Sequence, residues 1–344
     1  MTNVHTLPDA PLIAGLIFRP LAGAEDTDAL LAVRHGCAAH DQVDPLSTTE
    51  GIPTRGQMTE TLSAAIAAGQ PDRWLVVQVF ERVIGYGRVI SWPEEDGTRV
   101  FLSLGWLLPS WRGQGIGTAM LQWAESRSRE LAVAEHPDAR AELAANASST
   151  EHEATALLQH EGYAAGYTVL EMGLDAAIPV KAAPLATGIE IRPVVAAHWP
   201  RIAASVCEAY QGEYEGGRFS EGSDPAAYAA ELNAARHEPV LWQVAWARAE
   251  VIGQVLTVIE NGRAEVFEVS VRPAWRRCGI GRALLTRAVL ALRGRGVEII
   301  RLHTVADFPT RARDLYASVG FRVLKEFPRY RKPLITAAAL RCQE

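Results

Sequence analysis

Two loops of this chain have the residue types and spacing to hold a phosphate. Leu107–Gly117 reads L-L-P-S-W-R-G-Q-G-I-G, and Val271–Gly281 reads V-R-P-A-W-R-R-C-G-I-G. Each joins an apolar, strand-like run to a helical pattern through P-x-W and R-x-x-G-x-G. A strand that breaks at Pro and resumes as a helix through glycines exposes a row of unpaired backbone N–H groups at the positive end of the helix dipole. That row is an anion cradle, and a pyrophosphate suits it. Gly279 and Gly281 carry no Cβ, so an anion can approach the backbone there.

The two loops lie within a longer repeat. Arg19-Pro20 pairs with Arg192-Pro193, Gly85 with Gly253, Arg112 with Arg276, and Gly162-Tyr163 with Gly320-Phe321, in the same order and at a slowly drifting offset. A spacing this long describes duplicated domains rather than a solenoid, and 344 residues suit two domains of ordinary size. The join falls in the Ala/Pro stretch Asp175–Gly188, giving domains at 16–175 and 188–335.

The repeated phrase resembles motif A of the GNAT superfamily, the Gcn5-related N-acyltransferases. The resemblance implies a tandem protein of α/β class, each domain a mixed sheet of six to seven strands with helices on both faces. It implies acetyl-CoA as cosubstrate and a primary amine, on a small molecule, as acceptor. The pantetheine arm would pair with backbone at Val269 and Val271, and at Gly105 and Leu107 in the first half. The pyrophosphate would lie on Arg276, Arg277, Cys278, Gly279, Ile280, Gly281 and Arg282. The matching first-half positions are Arg112, Gly113, Gly115, Gly117 and Thr118.

Acyl transfer from a thioester to an amine moves two protons, one off the ammonium and one onto the departing thiolate. A-R-D-L-Y-A-S-V-G-F in the second half resembles the family's A-x-x-L-Y-x-x-x-G-F motif, whose tyrosine faces the CoA sulfur; the acid is then Tyr316. Glu265, eleven residues before Arg276, stands where several relatives carry a carboxylate base. Glu268 follows it, on the opposite face of the strand unless a bulge shifts the register. His303 is a third candidate. Cys278 has no neighbouring His or acid to orient it, so a covalent thiol route is not expected.

The first half lacks these groups. Phe101 aligns with Glu265, Leu104 with Glu268 and Leu158 with Tyr316. An apolar side chain cannot carry a proton, so one working domain and one degenerate domain are expected. The second half departs from the family at Pro309, where many relatives carry Asn.

The elements that must position these groups follow from pattern. In the second half, strands are expected at Ile189–Val194, Val240–Arg248, Val251–Glu260, Ala264–Val271 and Glu298–Thr304, with a last strand from Phe321. Helices are expected at Trp199–Tyr210, Pro225–Arg236, Gly281–Arg293 and Thr310–Val319. Short connections before the cradle indicate antiparallel pairing, and the helices after it indicate parallel crossovers. The Gly212–Asp224 loop with Tyr210, Tyr214 and Phe219, and the end strand with Tyr330, would shape the acceptor pocket.

Composition narrows the class. A net charge of −6 gives no basic surface for nucleic acid. Four scattered cysteines without C-x-x-C predict neither a disulfide framework nor a metal site, and fit a reducing cytoplasm. No signal peptide or membrane span is read at the start, and a monomer or homodimer is expected. A nicotinamide-type fingerprint fails, because G-x-G-x-x-G would need Gly where Leu284 and Met120 stand. The alternative to an enzyme is a CoA-binding sensor or scaffold.

Overall fold

The structure is a computed structural model that describes residues 5–94, 96–136, 140–210, 224–233, 238–260, 262–307 and 310–334. The chain forms two compact units, Met1–Gly166 with Phe327–Glu344, and Tyr167–Glu326.

The first half of the chain supplies β1 (Leu16–Arg19), α1 (Thr27–Ala38), α2 (Arg55–Ala67), β2 (Trp74–Val79), β3 (Arg82–Pro93), β4 (Arg99–Leu107), α3 (Ile116–Glu135), β5 (Ala141–Asn146), α4 (His152–His160) and β6 (Ala164–Asp175). The second supplies β7 (Ile189–Ile191), α5 (Trp199–Tyr210), α6 (Pro225–Leu232), β8 (Gln243–Ala247), β9 (Glu250–Glu260), β10 (Arg263–Val271), α7 (Ile280–Arg293), β11 (Ile299–Val305), α8 (Ala312–Val319) and β12 (Arg322–Leu334).

Each unit holds a six-stranded mixed sheet. The orders are β1-β2-β3-β4-β5-β12 in the first unit and β7-β8-β9-β10-β11-β6 in the second. β4 and β5 run parallel, as do β10 and β11, and the remaining pairings described are antiparallel. The last strand of each half pairs in the other half's unit: β6 lies beside β11, and β12 beside β5. Tyr330, expected beside the acceptor pocket of the second domain, is for this reason buried in the first unit's core.

Alternation sets the two faces of each sheet. In the second unit, Val255, Val266, Val269 and Val271 join α7 residues such as Leu284 and Ala288 in one core, while Leu256, Val244 and Trp246 pack with Ile202 and Leu232 from α5 and α6 on the other side. In the first unit, Arg34 of α1 lies over Trp106 of β4, 4.3 Å from the ring centroid. A Cβ at Gly105 would meet Met120 of α3 at 3.7 Å, so helices cover both faces here too. Gly85 and Gly253 stand opposite Leu107 and Val271; a Cβ would fall 2.8 Å from Trp106 O and 3.1 Å from Ser270 O respectively, so a side chain would clash with the facing backbone at Gly85 and crowd it at Gly253. Among the described residues, no helix is long and apolar enough to cross a membrane.

Candidate active site

Both cradle loops fold alike. Arg112 and Arg276 are extended, at φ −73° and −70°. Gly113 and Arg277 follow in the left-handed region at 71° and 61°, and the helix caps Gly115 and Gly279 return to it at 85° and 77°. Left-handed residues alternating with Gln114 or Cys278 are a backbone pattern that can aim successive amides at an anion. Arg277 occupies a conformation that a residue with a Cβ rarely adopts, at the place where the first half has glycine.

The motif arginines brace these loops. Arg112 Nε donates to Leu107 O at 2.9 Å, and Arg276 Nε to Val271 O at 3.0 Å. Arg276 also donates to Ala209 O at 2.6 Å, tying the cradle to the end of α5. Arg112 instead makes a bidentate pair with buried Asp41, at 2.6 and 2.8 Å. Among the described residues, His40, Asp41 and Glu153 are grouped closely enough for a metal ion, and the Arg112 guanidinium already supplies positive charge there. The two loops also differ on their open side. Nothing lies within 4 Å of a Cβ built at Gly279, whereas Pro11 lies 3.7 Å from one at Gly115.

Gly281 serves packing. A Cβ there would meet Leu315 at 3.3 Å and Val271 at 3.7 Å, so bare Cα hydrogens let α8 seat on the first turn of α7. Gly117 faces Leu157 in the same way, at 3.4 Å. This seating carries the next residue, Tyr316, to the cradle end of the helix. Tyr316 is buried, and its ring meets Phe321 edge-on at 6.2 Å. In the first unit, buried Leu158 takes the corresponding place on α4.

The strand before each cradle separates from its parallel neighbour. β10 pairs with β11 only over Ala264–Val266, and β4 with β5 only over Arg99–Ser103. Both strands then run on, to Val271 and Leu107, leaving backbone where an extended ligand could add as a strand would.

A β-bulge decides the carboxylates. β10 pairs in register with β9 up to Val266↔Thr257 and resumes at Glu268↔Leu256, so Phe267 is the extra residue. The shift turns Glu268 to the same face as Glu265, the face covered by α5 and α6. β4 has no such shift, and Phe101 goes to the opposite side, fully buried in the core. The two halves thus differ here in strand register as well as in residue type.

Each carboxylate has a partner. Glu268 is buried and accepts from the Tyr210 hydroxyl at 3.1 Å. Glu265 is 22% exposed at its side chain and lies 3.2 Å from His303 Nδ1. His303 Nε2 lies 3.8 Å from Glu171, and Arg301 NH1 donates to Glu171 at 2.6 Å. Burial by itself lowers the His303 pKa, but hydrogen bonding and charge from Glu171 and Glu265 outweigh it and raise the pKa to about 9. The imidazole is therefore cationic at neutral pH. Because its folded value lies above the ordinary 6.5, its stabilising contribution is full below 6.5 and is lost as pH rises through about 9.

Glu171 and Arg301 escaped the reading of the sequence. Arg301 and His303 alternate with Ile300 and Leu302, a pattern that puts both on one face. Glu171 is the lone charge of T-V-L-E-M-G-L, but only the exchange of β6 into the second unit brings it beside His303 and Arg301. Tyr214, Phe219 and Pro309 lie outside the described residues.

The second unit thus brings together a parallel-strand splay, a left-handed turn at a helix N-terminus and a buried tyrosine on the next helix. A model of the acetyltransferase (GNAT) family matches residues 46–163 and 203–321, and the chain belongs to that family. It is an N-acetyltransferase of tandem architecture, and the family's cosubstrate is an acyl-CoA. A mycothiol acetyltransferase from Kineococcus radiotolerans is 31% identical over 219 residues, covering 62% of this chain and 66% of that protein. A GCN5-related N-acetyltransferase from Sphaerobacter thermophilus shares the fold, with TM-score 0.73 and 22% identity over 96% of this chain and 97% of that one. A tandem GNAT protein of the clavulanic acid biosynthesis pathway has TM-score 0.62 and 19% identity, over 93% and 99%.

Proposed function

We propose that this chain transfers an acetyl group from acetyl-CoA to a primary amine of a small molecule, and that the second unit performs the reaction. The observation that carries this reading is the β10 bulge, which sets Glu265 and Glu268 together beside the splay and its cradle. The pyrophosphate lies on the backbone amides from Arg276 to Arg282, with the arm along Val269 and Val271. Glu265 takes a proton from the acceptor ammonium, the amine attacks the thioester carbonyl, and Tyr316 protonates the thiolate that leaves. Glu268, hydrogen-bonded to Tyr210, lines the acceptor side.

The first unit keeps a cradle from Arg112 to Thr118 and open backbone at Gly105 and Leu107, but has Phe101, Leu104 and Leu158 where the second has Glu265, Glu268 and Tyr316. We assign it CoA binding weaker than that of the second unit, since the segment carrying Pro11 lies beside Gly115.

Mixing the protein with acetyl-CoA and a panel of primary amines, and following release of free thiol, tests the reaction. The expected result is thiol release that depends on the amine and yields an acetylated amide product. Tight CoA binding without amine-dependent release would make the chain a CoA sensor or scaffold.

A further inference from the structure

Four charged groups of the second unit share the β10–β11–β6 face: Glu265, His303, Arg301 and Glu171. The mechanism above uses only the first. Arg301 and Glu171 are 7% and 1% exposed at their side chains, and His303 is 22% exposed. Two carboxylates and two cations in so closed a place balance in charge only when the imidazole is protonated. Such a cluster is costly to bury, and here Arg301 and His303 alternate with apolar Ile300 and Leu302 while Glu171 lies between Leu170 and Met172.

The order of contacts is linear. Arg301 fixes Glu171, Glu171 lies by Nε2 of His303, and Nδ1 of His303 lies by Glu265 Oε1. A carboxylate behind an imidazole selects the ring's orientation and strengthens the far nitrogen as a proton acceptor. We propose that Glu171, held by Arg301, aligns His303 against Glu265 so that carboxylate and imidazole take up the acceptor's proton as one unit. Glu171 and Arg301 are then positioning residues that act through His303. The inference rests on the acyl-transfer reading of this site.

The step balances. In the fraction of molecules whose imidazole is neutral, which grows as pH rises toward about 9, the proton leaves the acceptor nitrogen for Glu265 and passes from Oε1 to Nδ1, while the nitrogen lone pair forms the bond to the acyl carbon and the C–S pair leaves with sulfur. The imidazolium then releases its proton to water. It also explains a use for the first half of the chain beyond packing: its last strand brings Glu171 to the reacting side of the second unit.

The charged groups described against the imidazole are Glu265 from β10 and Glu171 from β6, with Arg301 of its own strand engaged on Glu171. Because the pair takes up a proton with the affinity of His303, kcat/KM for the amine rises with pH toward about 9. Glu171→Gln removes one of the two negative neighbours, so the rising limb moves to lower pH by about one unit or more. CoA affinity stays as it was.

The test is the pH profile of Glu171→Gln together with NMR titration of the His303 ring, assigned with His303→Asn. The double variant Glu171→Gln/Arg301→Gln, which leaves no unpaired buried cation, serves if the single one does not fold. Both the limb and the ring titration should move down, and Glu171→Asp should return them toward the wild-type values. A uniform loss of rate with limb and titration unmoved would reduce Glu171 to a structural residue and overturn the inference while leaving acyl transfer intact. A wild type that acetylates no amine, with a ring that still responds to Glu171, would overturn the acyl-transfer reading and the proton role with it.

Discussion

Tyr316→Phe should lower turnover roughly 10- to 1000-fold, about 1.4–4 kcal/mol of barrier. Only the hydroxyl is lost. The ring remains wedged in the core against Phe321, and Leu315 still seats on Gly281, so α8 keeps its place. The CoA contacts assigned to the loop and to β10 are untouched, and the dissociation constant for CoA should hardly change. An effect on kcat with none on CoA binding is the signature of a group that acts only as the bond breaks. The check is steady-state kinetics beside calorimetric CoA titration. An unchanged rate at saturating substrates would remove Tyr316 from proton transfer and leave it a core aromatic.

Glu265→Gln should cost about 10²-fold or more in kcat, the lower end of what a positioned base supplies. The amide is close in shape to the carboxylate but cannot take a proton. The loss should shrink as pH is raised, because an acceptor that is already a free amine needs no base. Glu268→Gln should cost less, since that carboxylate is engaged by the Tyr210 hydroxyl. The opposite ranking, with Glu268→Gln the more damaging, would transfer the base to Glu268.

What could be read from the residues alone, and what could not, follows the range of the interactions. The cradle is local. R-x-x-G-x-G fixes its turns within six residues, although the left-handed turn at Arg277 carries no glycine to mark it. The mixed sheet and the crossover through each cradle helix were legible because connection lengths encode them; the parallel crossover expected through the following helix is not made, because the last strand of each half pairs antiparallel in the other half's unit. The bulge at Phe267 was not, because no glycine or proline marks it and Glu268 changes face through a pairing made with β9. Tyr330 was assigned to the wrong unit and Glu171 was overlooked for one shared reason: strand exchange alters which sheet a strand joins and leaves its apolar pattern unchanged. The fit of Gly281 to Leu315 likewise depends on a contact across two helices, and it gives that glycine a role in packing where an approach to phosphate had been expected.

On the proposed mechanism, two cradles of the same geometry serve one reaction centre. Gly279 and Gly115 are matched for testing it. Each caps its helix in the left-handed region, and a Cβ meets nothing at Gly279 and only an ordinary contact with Pro11 at Gly115. Alanine at either site therefore carries a similar conformational cost, about 1 kcal/mol. The decisive measurement is acetyl-transfer rate for Gly279→Ala and Gly115→Ala, compared at matched thermal stability. The expected result is that Gly279→Ala loses most activity through weakened CoA binding while Gly115→Ala stays close to wild type. Equal losses in both would show that the two halves share catalysis, and a loss confined to Gly115→Ala would place the reaction in the first.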